Sequence, residues 1–421
     1  MARIEPLRAL HYDRDRTGGL QPVVAPPYDV IDADARRALA ERSEYNVVEI
    51  DLPQANNGED PYAHAAQTLQ RWRDSGVVVA DTEPAIWPLE QDYTGPDGQR
   101  RTRRGFLARV RVEEYGPGRI RPHERTHPGP KEDRLRLTRA TQTNLSPIFS
   151  LFSDPDQAAW GALSKQIEQL EPWARTEDPD GTVNRLWRVA DPEAIEQVKA
   201  AASAAELLIA DGHHRYETAR VYADEIGGEG SHRYVLMCLV ALEDPGLTVF
   251  PTHRLLSGLS ESQWSALDGA IERHFDRVEC ADVRSLPPAE NERIELGYLD
   301  ARNGIPYRLT LKDPAAADAA MPGRSEAYRR LDTAVTEALL LKGALQMTDE
   351  QIDHLDGLGY ARDDAQAIES VQRGEFDVAL FMAPTPVRRV QDVAASGESM
   401  PPKSTYFVPK VPTGLLFNPL S

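Results

Sequence analysis

Apolar and polar positions recur along this chain with two periods, near 3.6 and near 2, and the changes between them divide it into elements. Helical periodicity predicts helices over residues 32–43, 61–74, 157–170, 192–204 and 216–226. Alternation or short apolar runs predict strands at 46–52, 85–93, 105–112, 185–189 and 234–242. In the first of these strands Val48, Ile50 and Leu52 would share one face and Glu49 and Asp51 the other. The turn Gly95-Pro96-Asp97-Gly98 would join 85–93 to 105–112 as a hairpin, with Arg100, Arg101, Arg103 and Arg104 decorating its exposed side.

Beyond Pro251 the pattern changes. A helix at 261–274, a hairpin at 294–299 and 307–311 around Asn303-Gly304, helices at 328–345 and 364–372, and a strand at 376–382 read as a separate α+β unit. The expected organisation is a core over residues 1–245, a second domain over 246–398 and a C-terminal arm over 399–421. A chain of 421 residues is longer than one hydrophobic core usually serves.

The junction at 205–219, AELLIADGHHRYETA, carries the clearest chemistry. An apolar strand-like run stops at Asp211-Gly212-His213-His214-Arg215, and helical periodicity begins. A helix start presents unpaired N–H groups and the positive end of the helix dipole, so it attracts anions, and His213, His214 and Arg215 add donors and charge. A plain capped turn with Asp211 as N-cap is the competing reading.

Composition narrows the partners. The net charge of −19 disfavours general affinity for nucleic acid or anionic membrane. No apolar run is long enough to span a bilayer and no leader-like stretch opens the chain, so a cytoplasmic protein is expected. Two cysteines, Cys238 and Cys280, encode neither a disulfide framework nor a Cys-rich metal site. Oligomeric state is not readable.

Charge is uneven, however: residues 100–139 hold 13 Arg or Lys against 5 Asp or Glu, a balance of +8 that leaves −27 elsewhere. The second half of this island, RIRPHERTHPGPKEDR at 119–134, is a proline-fixed loop carrying His123, Glu124, Arg125, His127, Lys131 and Arg134. Neither His123/His127 nor His213/His214 has surroundings that suit zinc, and no protein-only metal site is expected. Magnesium shared between nucleotide phosphates and Asp211 or Glu124 fits better. At the other end MPPKSTYFVPK, residues 400–410, imitates a phosphate-binding P-loop, but Pro402 replaces the second glycine and offers no N–H. What remains is an extended arm: either Lys403 and Lys410 reach a phosphate site, or Tyr406, Phe407 and Leu415 pack it on the body.

APPYDVI at 25–31, HERTHPGPKEDRLRL at 123–137, NLSPIF at 144–149, IADGHHRYETA at 209–219 and MPPKSTYFVPK at 400–410 resemble the domain-of-unknown-function family 1015. The pairing of Arg-Pro-His-Glu at 121–124 with the Asp-Gly-His-His-Arg turn is similar to the archaeal free-serine kinases, members of the ParB/sulfiredoxin superfamily. That resemblance implies an α/β (α+β) fold with a ParB/sulfiredoxin-like nucleotide-binding core. It implies ATP or ADP with Mg2+ as cofactor and a small-molecule substrate, possibly free L-serine. Glu124 would be the general base and Asp211 its acidic partner. Gly212, His213, His214 and Arg215 would hold phosphates, with His123, Arg125, His127, Lys131, Arg134 and Lys403 as further phosphate or nucleotide contacts. His213 stands where sulfiredoxin has its nucleophilic cysteine, so that chemistry is excluded. A nucleotide-binding switch without turnover, or a phosphatase using the same cradle, remains open beside the kinase.

Overall fold

Strand pairing in the computed structural model gives a mixed α/β protein of two units. It describes residues 2–54, 58–95, 97–117, 119–122, 129–203, 205–286, 288 and 293–421. Described residues up to Leu247, together with Pro409–Ser421, form the first unit, and Thr248–Val408 belongs to the second.

A nine-stranded mixed sheet organises the first unit. Eight of its strands follow the order Ile120–Pro122, Leu207–Asp211, Ile148–Phe152, Tyr234–Ala241, Arg100–Arg111, Trp87–Thr94, Val183–Leu186 and Ala174–Glu177, while Ile4–Glu5 pairs with Arg100–Arg111. Leu207–Asp211 runs parallel to Ile120–Pro122 and antiparallel to Ile148–Phe152. One face is largely apolar, with Ser150 as a buried polar residue among its side chains. Phe106, Ala108, Ile148, Phe152, Ile209, Met237 and Leu239 pack there against the helices Ala158–Ile167, Pro192–Ser203 and His213–Ile226. These helices carry apolar residues at three- and four-residue spacing, as in Ala194, Ile195, Val198 and Ala202, which is why they lie flat on the sheet.

Residues on the opposite face include Trp87, Leu107, Phe149 and Cys238, all buried, but also Arg103, Gln91 and Asn184. Of the expected arm, Pro409–Ser421 belongs to this unit and residues 399–408 to the second. Ala25 and Thr413 exchange backbone hydrogen bonds of 3.1 and 2.8 Å, and Leu10 and Phe417 do the same at 2.9 and 2.8 Å. The expectation that Arg103 decorates an exposed hairpin side is therefore corrected: it is 1% exposed. Its face also carries Leu107, so this strand is buried on both sides.

The second unit is built on a six-stranded antiparallel sheet, ordered Phe275–Glu279, Tyr307–Leu311, Glu295–Asp300, Val378–Phe381, His253–Leu256, Leu358–Ala361. The helix Glu261–His274 starts at a capping box made by Ser260 and Gln263, and the helix Asp364–Gln372 covers Leu255 and Phe381.

Two other expectations fail. Residues 46–52 hold a one-turn helix, Val48–Asp51, not a strand, because Asp51 is turned inward to accept from Arg134 while Val48 and Ile50 also bury. The expected helix at 328–345 is broken into Glu326–Arg329, Asp332–Val335 and a π-helical stretch at Thr336–Ala344. The break at Arg330 and Leu331 leaves Asp332 buried, where it accepts from the Ala383 N–H at 3.0 Å.

Candidate functional site: a buried ion cluster at a helix start

Asp211 ends its strand on the face opposite to Ile209, although strict alternation would place both on one side. The register shift between Ile209 and Asp211 accounts for this. Ile209 pairs with Ser150 and Asp211 with Phe149, so Ala210 is an inserted bulge residue that rotates Asp211 onto the Phe149 and Cys238 face. Gly212 follows at φ +95°, and the helix His213–Ile226 begins directly after it. A side chain at 212 would be strained by that φ, and its Cβ would lie 2.9 Å from Arg215 Nε. Gly212 also leaves the helix start without a side-chain cap. Asp211 is therefore not an N-cap.

Both Asp211 oxygens are occupied by cations. Arg215 Nη2 donates to Oδ2 at 2.6 Å, and Lys410 Nζ donates to Oδ1. Burial alone would raise the Asp211 pKa, but the charges of Lys410 and Arg215 prevail and hold it well below the usual carboxylate range. This carboxylate is a poor proton acceptor, and each of its oxygens already carries one cationic donor.

Arg215 draws the other sequence blocks together. Its Nη1 donates to Ser146 Oγ at 2.8 Å and to the Pro147 carbonyl, and Ser146 Oγ is 2.9 Å from Thr413 Oγ1. The Tyr28 ring stands 5.9 Å from the Arg215 guanidinium and 4.4 Å from that of Arg134. Arg134 is fully engaged inside the protein: Nη1 binds the Asp51 carbonyl at 2.8 Å and its carboxylate at 3.2 Å, and Nε binds Asp133 at 2.7 Å. It positions the corner and has no fork to spare for phosphate. Between these groups lies a cavity of about 40 Å³ lined by Tyr28, Asp51, Arg134, Ser146, Arg215 and Thr218, a space for water and too small for a nucleotide. Arg215 Nε has no hydrogen-bond partner among the described residues.

Lys410 and Thr413 join the corner, through Asp211 and Ser146, and sequence reasoning underweighted them. Lys403, the arm lysine favoured from sequence, belongs to the second unit, where Arg254 donates to its carbonyl at 3.0 Å and to that of Pro402 at 3.1 Å. Lys403 has φ +56°, so these bonds hold a left-handed backbone. His123, Glu124, Arg125, His127 and the side chain of Lys131 lie outside the described residues. Among the described residues no cluster of three His, Cys, Asp or Glu side chains is placed to hold a metal, and no helix is long and apolar enough to cross a membrane.

The chain matches a family over residues 4–334. It belongs to DUF1015, a family described as proteins of unknown function. No curated protein matches this DUF1015 chain. Three solved structures are similar to it. A conserved hypothetical protein from Pyrococcus furiosus shares 14% identity, covering 73% of this chain and 93% of that one, with a TM-score of 0.38. A free serine kinase in complex with AMP shares 12%, covering 72% and 87%, with a TM-score of 0.38. SbnI with C-terminal truncation from Staphylococcus aureus shares 12%, covering 72% and 84%, with a TM-score of 0.37. Likeness at this level does not bear on activity or ligand.

Proposed function

We propose that this DUF1015 protein is a nucleotide-dependent phosphotransferase acting on a small hydroxyl-bearing metabolite, with free L-serine the first acceptor to test. The observation that carries the reading is the helix start at His213, left without a side-chain cap by Gly212 and backed by Arg215, whose side chain is 10% exposed. Phosphoryl transfer depends on positioning and on donors that meet the charge of the transferred group. The His213–Ile226 helix start supplies backbone donors and its dipole, and Asp211 keeps Arg215 and Lys410 at the corner as fixed positive charge. In this reading the phosphates of ATP or ADP, accompanied by magnesium, rest at Gly212–Arg215. Glu124 accepts the proton of the acceptor hydroxyl as its oxygen bonds to the terminal phosphorus and the nucleotide leaves one phosphate shorter.

The test is to incubate the purified full chain with ATP or ADP, magnesium and L-serine. Phosphoserine and the shortened nucleotide are expected in equal amounts, and Glu124→Gln is expected to lower the rate at least about a hundredfold without weakening nucleotide binding. Absence of phosphotransfer across a broad panel of hydroxylated metabolites would overturn the proposal.

A further inference from the structure

Arg103 is a buried cation with no assigned task. It is 1% exposed, and only Nη2 is hydrogen-bonded, to Gln91 Oε1, while Nε and Nη1 have no partner among the described residues. No carboxylate among the described residues lies within ion-pairing distance. Asp244 and Asp211 act on it only through space, and Asp211 is already bonded to Arg215 and Lys410. An unpaired buried guanidinium is costly, because burial removes its hydration and returns nothing. Burial accordingly pushes its pKa down to about 10.

The surroundings hold this side chain in place. The guanidinium stacks over the Phe149 ring, 4.3 Å from its centre, and Phe149 is the register partner of Asp211. Arg103 starts three strands away from Asp211 and reaches back across Cys238's strand toward it. Gln91, which accepts from Arg103, itself donates to Asn184 Oδ1 at 2.7 Å and to the Lys410 carbonyl at 3.0 Å. One amide thus joins Arg103 to the arm residue that pairs with Asp211. A planar fork anchored on one side, stacked below and unpaired elsewhere is built for bidentate recognition of an oxyanion.

We propose that Arg103 is a ligand-binding residue that takes an oxyanion, either a phosphate of the nucleotide or the carboxylate of the acceptor, beside the Asp211 corner. The choice between these two sources rests on the phosphotransferase reading; the oxyanion site itself does not. A ligand at Arg103 would exchange an unpaired charge for a paired one.

The experiment compares the full chain with Arg103→Met and Arg103→Lys by calorimetric titration and thermal unfolding. The probes are pyrophosphate, ADP, malonate, and L-serine in the presence of ADP. If Arg103 awaits a ligand, ligand-free Arg103→Met melts at or above the wild-type temperature, because a buried unpaired charge has been removed. Affinity for at least one probe should fall about tenfold or more. Loss for pyrophosphate and ADP assigns the site to nucleotide phosphate. Loss confined to malonate or L-serine assigns it to the acceptor carboxylate. Arg103→Lys keeps the charge without the fork and should fall between. The proposal is overturned if wild type binds none of the probes. It is equally overturned if Arg103→Met melts several degrees lower with every affinity unchanged, the signature of a purely structural arginine. Oxyanion binding without any phosphotransfer would leave this site standing and sink only the kinase reading.

Discussion

The two faces of the nine-stranded sheet are made by the same strands and obey opposite rules. On one, Phe106, Met237 and Leu239 meet helices through mainly apolar contacts, with Ser150 Oγ donating to Met237 Sδ at 3.4 Å as a buried exception. On the other, a polar row crosses adjacent strands at directly paired positions, Arg103 with Gln91 and Gln91 with Asn184, and continues through Asn184 Nδ2 to Asp178 Oδ2 at 3.0 Å. Asp211 and its two cations occupy the same face. The apolar face draws stability from area removed from water, and the polar face holds charges that burial penalises unless they find partners. In the proposed reading, stability and ligand recognition are divided between the two sides of one sheet.

Removing a partner on the polar face should have the largest effect. Arg215→Ala leaves the Asp211 carboxylate, the Ser146 hydroxyl and the Pro147 carbonyl without their common donor, and is expected to cost ~4 kcal/mol in chemical denaturation and to abolish nucleotide binding. On the apolar face, Leu239→Ala empties a fully buried site and should cost ~3 kcal/mol while ligand affinity holds. If the two variants lost affinity equally, the division of labour between the faces would be wrong.

A smaller effect comes from pH. Burial raises the Asp178 pKa to about 6 from 3.8, with the hydrogen bond from Asn184 opposing and the charge of Asp180 assisting. Because the folded value lies above the unfolded one, its contribution to stability is fully present below about pH 4 and is lost as pH rises through 6. The loss should be at most about 3 kcal/mol, read as a falling denaturation midpoint that Asp178→Asn flattens. Asp211 has the opposite sign. Its depressed pKa makes its contribution present above the unfolded value and lost only as pH falls below the ordinary carboxylate range.

Gly212→Ala should have the smallest stability cost of the set, ~1–2 kcal/mol. The new Cβ would meet the Arg215 guanidinium at 2.9 to 3.1 Å, so the change in anion affinity should exceed the change in stability. Equal changes would assign Gly212 to the turn alone.

Much of the fold is legible in the chain's own periodicity. The helices Pro61–Asp74, Glu261–His274 and Asp364–Gln372 lie where their patterns predict, since each carries a cap and one apolar face. The 46–52 segment misled because two alternations in five residues fit a strand and a single helical turn equally well. The corner at 211–215 was visible because strand, glycine and helix follow one another in sequence. Arg103 was not: four arginines after a turn look like solvent-facing residues, and the clue lay in Phe106, Leu107 and Ala108, consecutive apolar residues that require burial of both faces.

Sequence by itself determined the elements, the strand–Gly212–helix junction and the family-marking blocks, because propensity, capping and local turns are properties of neighbouring residues. Only the tertiary structure decided that Asp211 crosses to the polar face through the Ala210 bulge. It also decided that Lys410 pairs with Asp211 from 199 positions away and that Arg103 is buried with donors to spare. Those outcomes depend on which strands become neighbours and on what covers them, and loop closure over such separations leaves no local pattern in the chain.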